Sequence, residues 1–275
     1  MTRSQPPDFA ALKQAALNHI HRAGTHLAVH ALTGGLAREQ QVSRRAIRQT
    51  LRVLLQEGAI VFTSRLGTSF IEPSYQRPLR LTPRIWIAQP GRTVPSKTGD
   101  VVIYLALGDA FGDGRHATTR LALAGVEQAL AGARRQPPGE PAHCLDMGTG
   151  SGILALAALA LGLDLAWGID TDPCARSEAK ANARENGMAH KLCIAAAPPQ
   201  GSNLKFQLIT ANLRLPTLCR LAPLWTRYRR PDTRLVLSGI RESEMPPLMR
   251  AYGASGWHAC ETDAADGWAM AIFRQ

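Results

Sequence analysis

The run from His143 to Gly152, HCLDMGTGSG, places an acid, Asp146, at the end of a short apolar stretch. Glycines follow at 148, 150 and 152. Gly148 and Gly150 let a backbone turn tightly and approach a ligand with no Cβ in the way. The apolar run from Ile153 reads as a helix whose first, unpaired N–H groups meet the same ligand. Sixteen residues beyond Gly152, the stretch Gly168–Pro173 (GIDTDP) ends a second short strand in an acid. Asp170 there can accept from both hydroxyls of a ribose. Asp172 followed by Pro173 has the plainer role of helix cap and first helical residue. The chemistry these residues suit is the holding of a nucleoside-bearing cofactor. The glycine pattern by itself does not separate one such cofactor from another, since dinucleotide enzymes share it.

The elements around the loop narrow the choice. After the helix 173–187 come three further strand candidates, KLCIAAA, FQLITAN and TRLVLSGI, and the sequence closes on WHACETDAADGWAMAIFRQ, which reads as an antiparallel hairpin. This order predicts an α/β fold, a Rossmann-like seven-stranded class I methyltransferase domain, because dehydrogenases do not close on a hairpin. The charge of Asp146 points the same way. A carboxylate at the strand end would repel a pyrophosphate but suits the cationic amino end of S-adenosylmethionine. Methyl transfer from a sulfonium is in-line displacement, in which positioning supplies most of the catalysis. An amine acceptor must first lose a proton, and Asp113 and His116 are the candidate proton acceptors by position. His116 can equally brace its loop.

The stretch Gly108–Leu123, GDAFGDGRHATTRLAL, resembles the FGTGxHxTT signature of the PrmA-type ribosomal-protein lysine methyltransferases, a family of S-adenosylmethionine-dependent enzymes. DMGTGSGILALAAL, GIDTDP with the helix after it, ITANLRLPTLCRLAPL and RLVLSGI are similar to that family's segments in order and spacing, over about Val101–Gln275. The resemblance implies cofactor contacts from Thr119, Gly148, Asp170 and Asn212, with Asp146 and Gly150 as further lining. It implies a protein amine, a lysine or an N-terminus, as methyl acceptor. The sequence departs from the family at Asp113, where FGTG becomes FGDG, and after Asn212, where Leu213-Arg214-Leu215-Pro216 stands. No aromatic residue follows Asn212 to clamp a planar base or amide nitrogen, which favours a flexible amine or a small molecule.

The charge is uneven. Up to Gly99 the chain carries 14 Lys and Arg against four acids, and from Asp100 onward 18 against 17. Such asymmetry marks a segment that meets polyanions. Pro90, Gly91, Pro95 and Gly99 predict the domain boundary there, giving a small α+β domain over 1–95 and the cofactor-binding domain over 100–275. RRQPPGEP (Arg134–Pro141) predicts a second break. In the first domain 9–24 and HLAVHAL read as helical. From Leu36 a short helix, a turn at Gln41–Ser43 and a longer helix follow. Ser43 caps that helix, Ile47, Leu51, Leu54 and Leu55 form its buried stripe, and Gly58 stops it. Arg44, Arg45, Arg48 and Arg52 are left exposed. Val61–Ile71 reads as two strands about a turn. The pattern is winged-helix-like and resembles the DNA-binding domains of GntR-type regulators, which leaves two roles open: nucleic-acid or ribosome contact, or a lid and homodimer surface. The family's own substrate domain, a small α/β sandwich, is not matched by this segment.

Five scattered cysteines without CxxC spacing argue for reduced thiols in a cytoplasmic setting and against disulfides. His19, His21, His26 and His30 show no ligand spacing, so no metal is expected. The start of the chain lacks the apolar core of a signal peptide, and no apolar run reaches membrane-spanning length. Two alternatives to protein methylation stay open: a small-molecule N- or O-methyltransferase with a winged-helix dimer, and a regulator that senses the cofactor and binds nucleic acid.

Overall fold

The structure is a computed structural model, and it describes residues 8–23, 27–65, 68–74, 77–106, 112, 114, 116–131, 141–200 and 204–275. Asp113 and most of the break at Arg134–Pro141 lie outside the described residues. The chain divides into two compact units between Arg77 and Pro78.

The first unit runs α1 (Phe9–Ala23), β1 (Leu27–Ala28), α2 (Val29–Glu39), α3 (Arg44–Gln56), β2 (Ile60–Arg65) and β3 (Thr68–Pro73). HLAVHAL is therefore split: Leu27 and Ala28 pair with Ile71 and Phe70 of β3, and the helix begins only at Val29. The strands form an antiparallel sheet in the order β1-β3-β2. Ser43 caps α3 by accepting from the Ala46 N–H at 3.2 Å. Ile47, Leu51 and Leu54 pack with Leu12, Ile20 and Leu32 in the core of the unit. Leu55 does not join them. It is exposed, because its helical angle lies off the stripe of 47, 51 and 54. Gly58 ends the helix at φ 66°, with Ala59 N–H returning to Leu54 O at 2.8 Å.

The second unit opens with β4 (Leu79–Arg80), β5 (Ile85–Ala88) and β6 (Val101–Tyr104). β5 pairs in parallel with β6, from Ile85↔Val101 to Ala88↔Tyr104. The Pro- and Gly-rich stretch 90–99 is thus a connection inside this unit rather than the domain boundary. The Asp100 carboxylate pins it, accepting from Trp86 Nε1 at 2.9 Å and from the Lys97 N–H at 3.0 Å. Those bonds, the backbone one first, hold the Asp100 carboxyl below its usual range.

Then follow α4 (Ala117–Ala131), β7 (His143–Met147), α5 (Ile153–Ala160), β8 (Leu165–Ile169), α6 (Pro173–Glu185), β9 (Leu192–Ala195) and β10 (Phe206–Asn212). α7 (Leu215–Leu221), α8 (Trp225–Tyr228), β11 (Arg229–Arg241), α9 (Met245–Gly253), β12 (His258–Ala265) and β13 (Trp268–Arg274) complete the unit. The large sheet has seven strands in the order β12-β13-β11-β10-β7-β8-β9. β12 and β13 form the antiparallel hairpin, β13 also runs antiparallel to β11, and the other pairings are parallel. This is the class I methyltransferase fold.

Period-two alternation divides the strands between two faces. Cys144, Leu208, Val236 and Ile272 pack with α4 and α5, while Leu145, Ile209, Leu237 and Phe273 pack with Trp225, Leu248 and Tyr252 on the other side. Every residue of α5 from Ile153 to Leu159 is buried, as expected of a helix that is apolar all round. The sheet grows from β7 through β8 to β9 on one side and from β10 on the other. The crevice at the carboxyl ends of β7 and β10 is therefore the switch point where open α/β sheets bind ligands.

Candidate functional site at the switch point of the sheet

The glycine loop leaves β7 at Gly148 and folds over the end of β8, with Gly148 N–H and Thr149 N–H both donating to Ile169 O at 2.8 and 2.9 Å. Gly148 has φ 74°, and a Cβ there would lie 2.5 Å from Leu213 Cδ2. The positive φ favours glycine, and any side chain there would have to push the Leu213 side chain aside. Gly150 N–H donates to Asp170 Oδ2 at 3.0 Å, and Asp172 N–H to Asp170 Oδ1 at 2.9 Å. Each carboxylate oxygen of Asp170 therefore holds one backbone donor and keeps lone-pair capacity for a second. Asp172 caps α6 as expected, accepting from the Cys174 N–H at 2.9 Å.

Leu213 is fixed from its other side as well. Its N–H donates to Ser238 O at 3.1 Å, and Gly239, at φ 88°, passes so near that a Cβ would sit 2.5 Å from Leu213 O. Between these parts lies a cavity of about 630 Å³, within the range of small-molecule sites. Met147, Gly148 and Gly150 line it from the β7 side, Ile169, Asp170 and Thr171 from β8, and Asn212, Leu213, Arg214 and Thr217 from β10 and α7. Its mouth holds His116 and Trp268. The two rings meet edge to face at 4.8 Å, and the Arg241 guanidinium lies over the Trp268 ring at 3.7 Å. His116 Nδ1 is 2.8 Å from Thr118 Oγ1 at the start of α4.

Four of the residues expected from sequence, Gly148, Gly150, Asp170 and Asn212, come together on this cavity, with His116 beside them. Two of the expected residues, Asp146 and Thr119, stand behind the cavity lining rather than on it. Asp146 is fully buried beneath the loop and is not among the residues that line the cavity. Its carboxylate accepts from Thr210 Oγ1 at 2.6 Å and Thr149 Oγ1 at 2.7 Å. Burial pushes its pKa up to about 6 against the lowering by those hydroxyls and the Ala155 N–H. Asp146 is the structural knot of the loop. Thr119 is also buried and does not line the cavity. Thr118 does, and Thr119 stays behind Asn212, whose Nδ2 donates toward Thr119 Oγ1 at 3.5 Å.

Sequence reasoning missed Gly239, Trp268 and Arg214. Gly239 had a visible signal, a lone glycine at the end of an apolar strand. Trp268 had none, since only the pairing Arg241↔Trp268 brings it to the mouth. Asn182 of α6 and Asn186 at its C-terminal cap went unread too. Asn186 exchanges hydrogen bonds with the Tyr104 backbone at 2.8 and 2.7 Å, and Asn182 Nδ2 donates to Ser151 O at 2.9 Å. They moor β6 and the glycine loop to one helix.

The residues fit an adenosyl cofactor of the S-adenosylmethionine type. At Gly148 a Cβ would press on the Leu213 side chain, Asp170 offers a carboxylate beside it, and Met147, Ile169 and Leu213 give an apolar wall. The amide oxygen Oδ1 of Asn212 is buried with no hydrogen-bond partner among the described residues. A buried acceptor of that kind costs free energy until something donates to it.

The family profile described as ribosomal protein L11 methyltransferase (PrmA) matches residues 71–275. A ribosomal protein L11 methyltransferase of Syntrophotalea carbinolica is 38% identical over 174 residues, covering 63% of this chain and 55% of the relative. One of Sorangium cellulosum is 37% identical over 176 residues, covering 64% and 54%. The chain thus spans about half the length of the curated relatives it matches. A crystal structure of ribosomal protein L11 methylase from Lactobacillus delbrueckii subsp. bulgaricus superposes with a TM-score of 0.63 at 27% identity, covering 72% of this chain and 98% of that one.

Proposed function

The chain belongs to the ribosomal protein L11 methyltransferase family, and from that premise we propose that its second unit binds S-adenosylmethionine and methylates a protein amine. When bound, this cofactor supplies an electrophilic methyl group on a sulfonium, which passes in line to an amine lone pair as the C–S bond breaks. Asp170 would hold the ribose hydroxyls with the lone pairs its two backbone donors leave free. The glycine loop would lie against the ligand at Gly148 and Gly150, and Met147 and Ile169 would shield it from water.

The observation that carries the reading is the unpartnered amide oxygen of Asn212, held in the cavity wall next to the glycine loop. The oxygen is closed off in this structure, and a turn of the amide toward the cavity would bring it to an amine N–H. His116 stands at the same mouth and is the described side chain placed to accept the proton an ammonium must lose. With no aromatic ring after Asn212, the wall there is Leu213 and Arg214, which suits a flexible aliphatic amine better than a planar one. Residues 1–70 lie outside the family match, and we assign the recognition of a partner to that part of the chain. A reducing, cytoplasmic setting suits its five free cysteines. Among the described residues no helix is long and apolar enough to cross a membrane.

The test is to incubate the protein and its Asp170→Ala variant with methyl-tritiated cofactor and a cell extract. Label entering the protein fraction with wild type and not with the variant supports the reading. Label in nucleic acid or in small solutes would replace the protein amine by another acceptor.

A further inference from the structure

The first unit carries ten Lys and Arg against four acids, and none of the ion pairs of those acids is with an α3 arginine among the described residues. Asp8 accepts from the Ala10 N–H at the start of α1, Glu57 pairs with Lys13 at 2.7 Å, and Glu39 lies 3.7 Å from His19. Glu72 is buried and partnered. Along α3, by contrast, Arg44, Arg45, Arg48 and Arg52 are exposed, and among the described residues none of them makes a hydrogen bond or ion pair. The first turn of α3 holds no acid. Two arginines there sit at the positive end of the helix dipole, and Arg44, Arg48 and Arg52 repel one another at i, i+4 spacing. The unit carries this electrostatic cost with no internal relief, and a polyanion laid along the helix would offset it.

The surroundings of α3 have the matching shape. A depression of about 520 Å³ is lined by Arg44 and Arg48 together with His30 and Thr33 of α2 and the exposed hydroxyls of Thr68 and Ser69 on β3. A second of about the same volume is lined by Arg45, Arg48, Gln49 and Arg52. Arg48 stands between them, so the two depressions form a track of cations on both sides of one helix.

We propose that α3 is a docking surface for double-stranded DNA, held through the backbone phosphates. Of the nucleic acids, B-form DNA fits a single helix that carries cations on both flanks. Its major groove, about 12 Å wide, admits an α-helix, whereas the major groove of an A-form RNA duplex is too deep and narrow for one. The arginines would contact phosphates on either wall, and Thr68 and Ser69 would add hydroxyl donors at the edge. This goes beyond the methyl-transfer reading and does not rest on it. The family match begins at residue 71 and accounts for none of α3.

The test uses the full chain and fluorescence anisotropy with a labelled duplex of roughly 20 base pairs, as DNA and as RNA of the same sequence. With four arginines on phosphates the log–log salt slope is expected near −3.6, so affinity for DNA falls roughly a hundredfold between about 50 and 200 mM salt. Replacing Arg44, Arg45 and Arg48 by Ala together should flatten the slope by about 2.7. Gln49→Glu leaves the buried stripe untouched, and by placing an acid among the arginines it should weaken binding and flatten the slope by about 1 even if the triple variant does not fold. S-adenosylhomocysteine affinity should be unchanged in every variant, which separates this result from a failure of the cofactor site. Wild-type DNA affinity and slope in Gln49→Glu would overturn the proposal. So would RNA duplex bound as tightly as DNA, or salt-insensitive self-association with no DNA binding at low salt.

Discussion

Thr210 near the end of β10 donates its hydroxyl to Asp146 at the facing position of β7 across 2.6 Å. The bond joins the two strands between which the sheet changes its direction of growth. Thr149 holds the other oxygen of the same carboxylate, so one buried acid ties β7, β10 and the glycine loop together. The site above is therefore braced by a buried group that lies outside the cavity lining.

That group makes stability depend on pH. Burial raises the folded pKa of Asp146 from 3.8 to about 6. The folded state thus holds a proton that the unfolded chain has already released. The stabilisation is fully present below about pH 4 and is lost as pH rises through 6, a change on the order of 3 kcal/mol. Asp146→Asn should remove this dependence. All five tryptophans lie beyond Pro78, so urea unfolding followed by tryptophan fluorescence reports the second unit alone. Between pH 4 and 6.5 the wild-type midpoint should fall relative to that of the variant. Parallel curves would remove Asp146 from this role.

Gly239 supports the site from the opposite side. Its φ of 88° and the 2.5 Å approach of a Cβ to Leu213 O mean that Gly239→Ala must move backbone. Gly187 has φ 66° with open space around it, so Gly187→Ala meets strain alone, about 1–2 kcal/mol. Both variants should lose stability, but only Gly239→Ala should lower S-adenosylhomocysteine affinity, by roughly tenfold or more, because Asn212 and Leu213 shift. Equal calorimetric affinities in the two variants would show that the cavity does not depend on this contact.

Much of this arrangement was legible from residue patterns. The glycine loop, the acid ending β8 and the closing hairpin are local signals that pointed to Gly148, Gly150 and Asp170, while Asn212 came from the family resemblance; all four line one cavity. The features that sequence did not show came from long-range order. Residues 90–99 look like a linker, yet they connect β5 to β6, two strands that pair in parallel across them. The burial of Asp146 beneath the loop leaves no mark in sequence. Trp268 reaches the mouth only through strand pairing with Arg241.

Asp170 is the clearest test of cofactor binding. Asp170→Ala leaves the ribose hydroxyls without their acceptor, a loss of about 1–3 kcal/mol, or roughly 5- to 150-fold in affinity. Asp172→Ala is the matched control. It removes the α6 cap for about 1 kcal/mol of stability, and the ligand affinity should hold. Titration calorimetry with S-adenosylhomocysteine distinguishes them, and wild-type affinity in Asp170→Ala would refute the ribose assignment.

Asn212 offers the opposite balance of stability and function. Its buried Oδ1 has no partner among the described residues, and its Nδ2 makes only a 3.5 Å approach to Thr119. An unsatisfied buried acceptor costs about 1–3 kcal/mol, while an apolar group of similar shape costs nothing for hydrogen bonds unmade. Asn212→Leu should therefore raise the thermal midpoint of the second unit, by about 2–4 °C for each kcal/mol recovered. Methyl transfer to protein should fall by roughly a hundredfold or more, because the acceptor amine loses its hydrogen-bond partner. Stabilising a unit while disabling it is the signature of a group kept for function rather than for folding. The two readouts are a tryptophan-fluorescence melt and an initial rate of tritium incorporation. A variant that is less stable yet still transfers methyl groups at the wild-type rate would make Asn212 a packing residue and return the search for the acceptor site to His116 and Trp268.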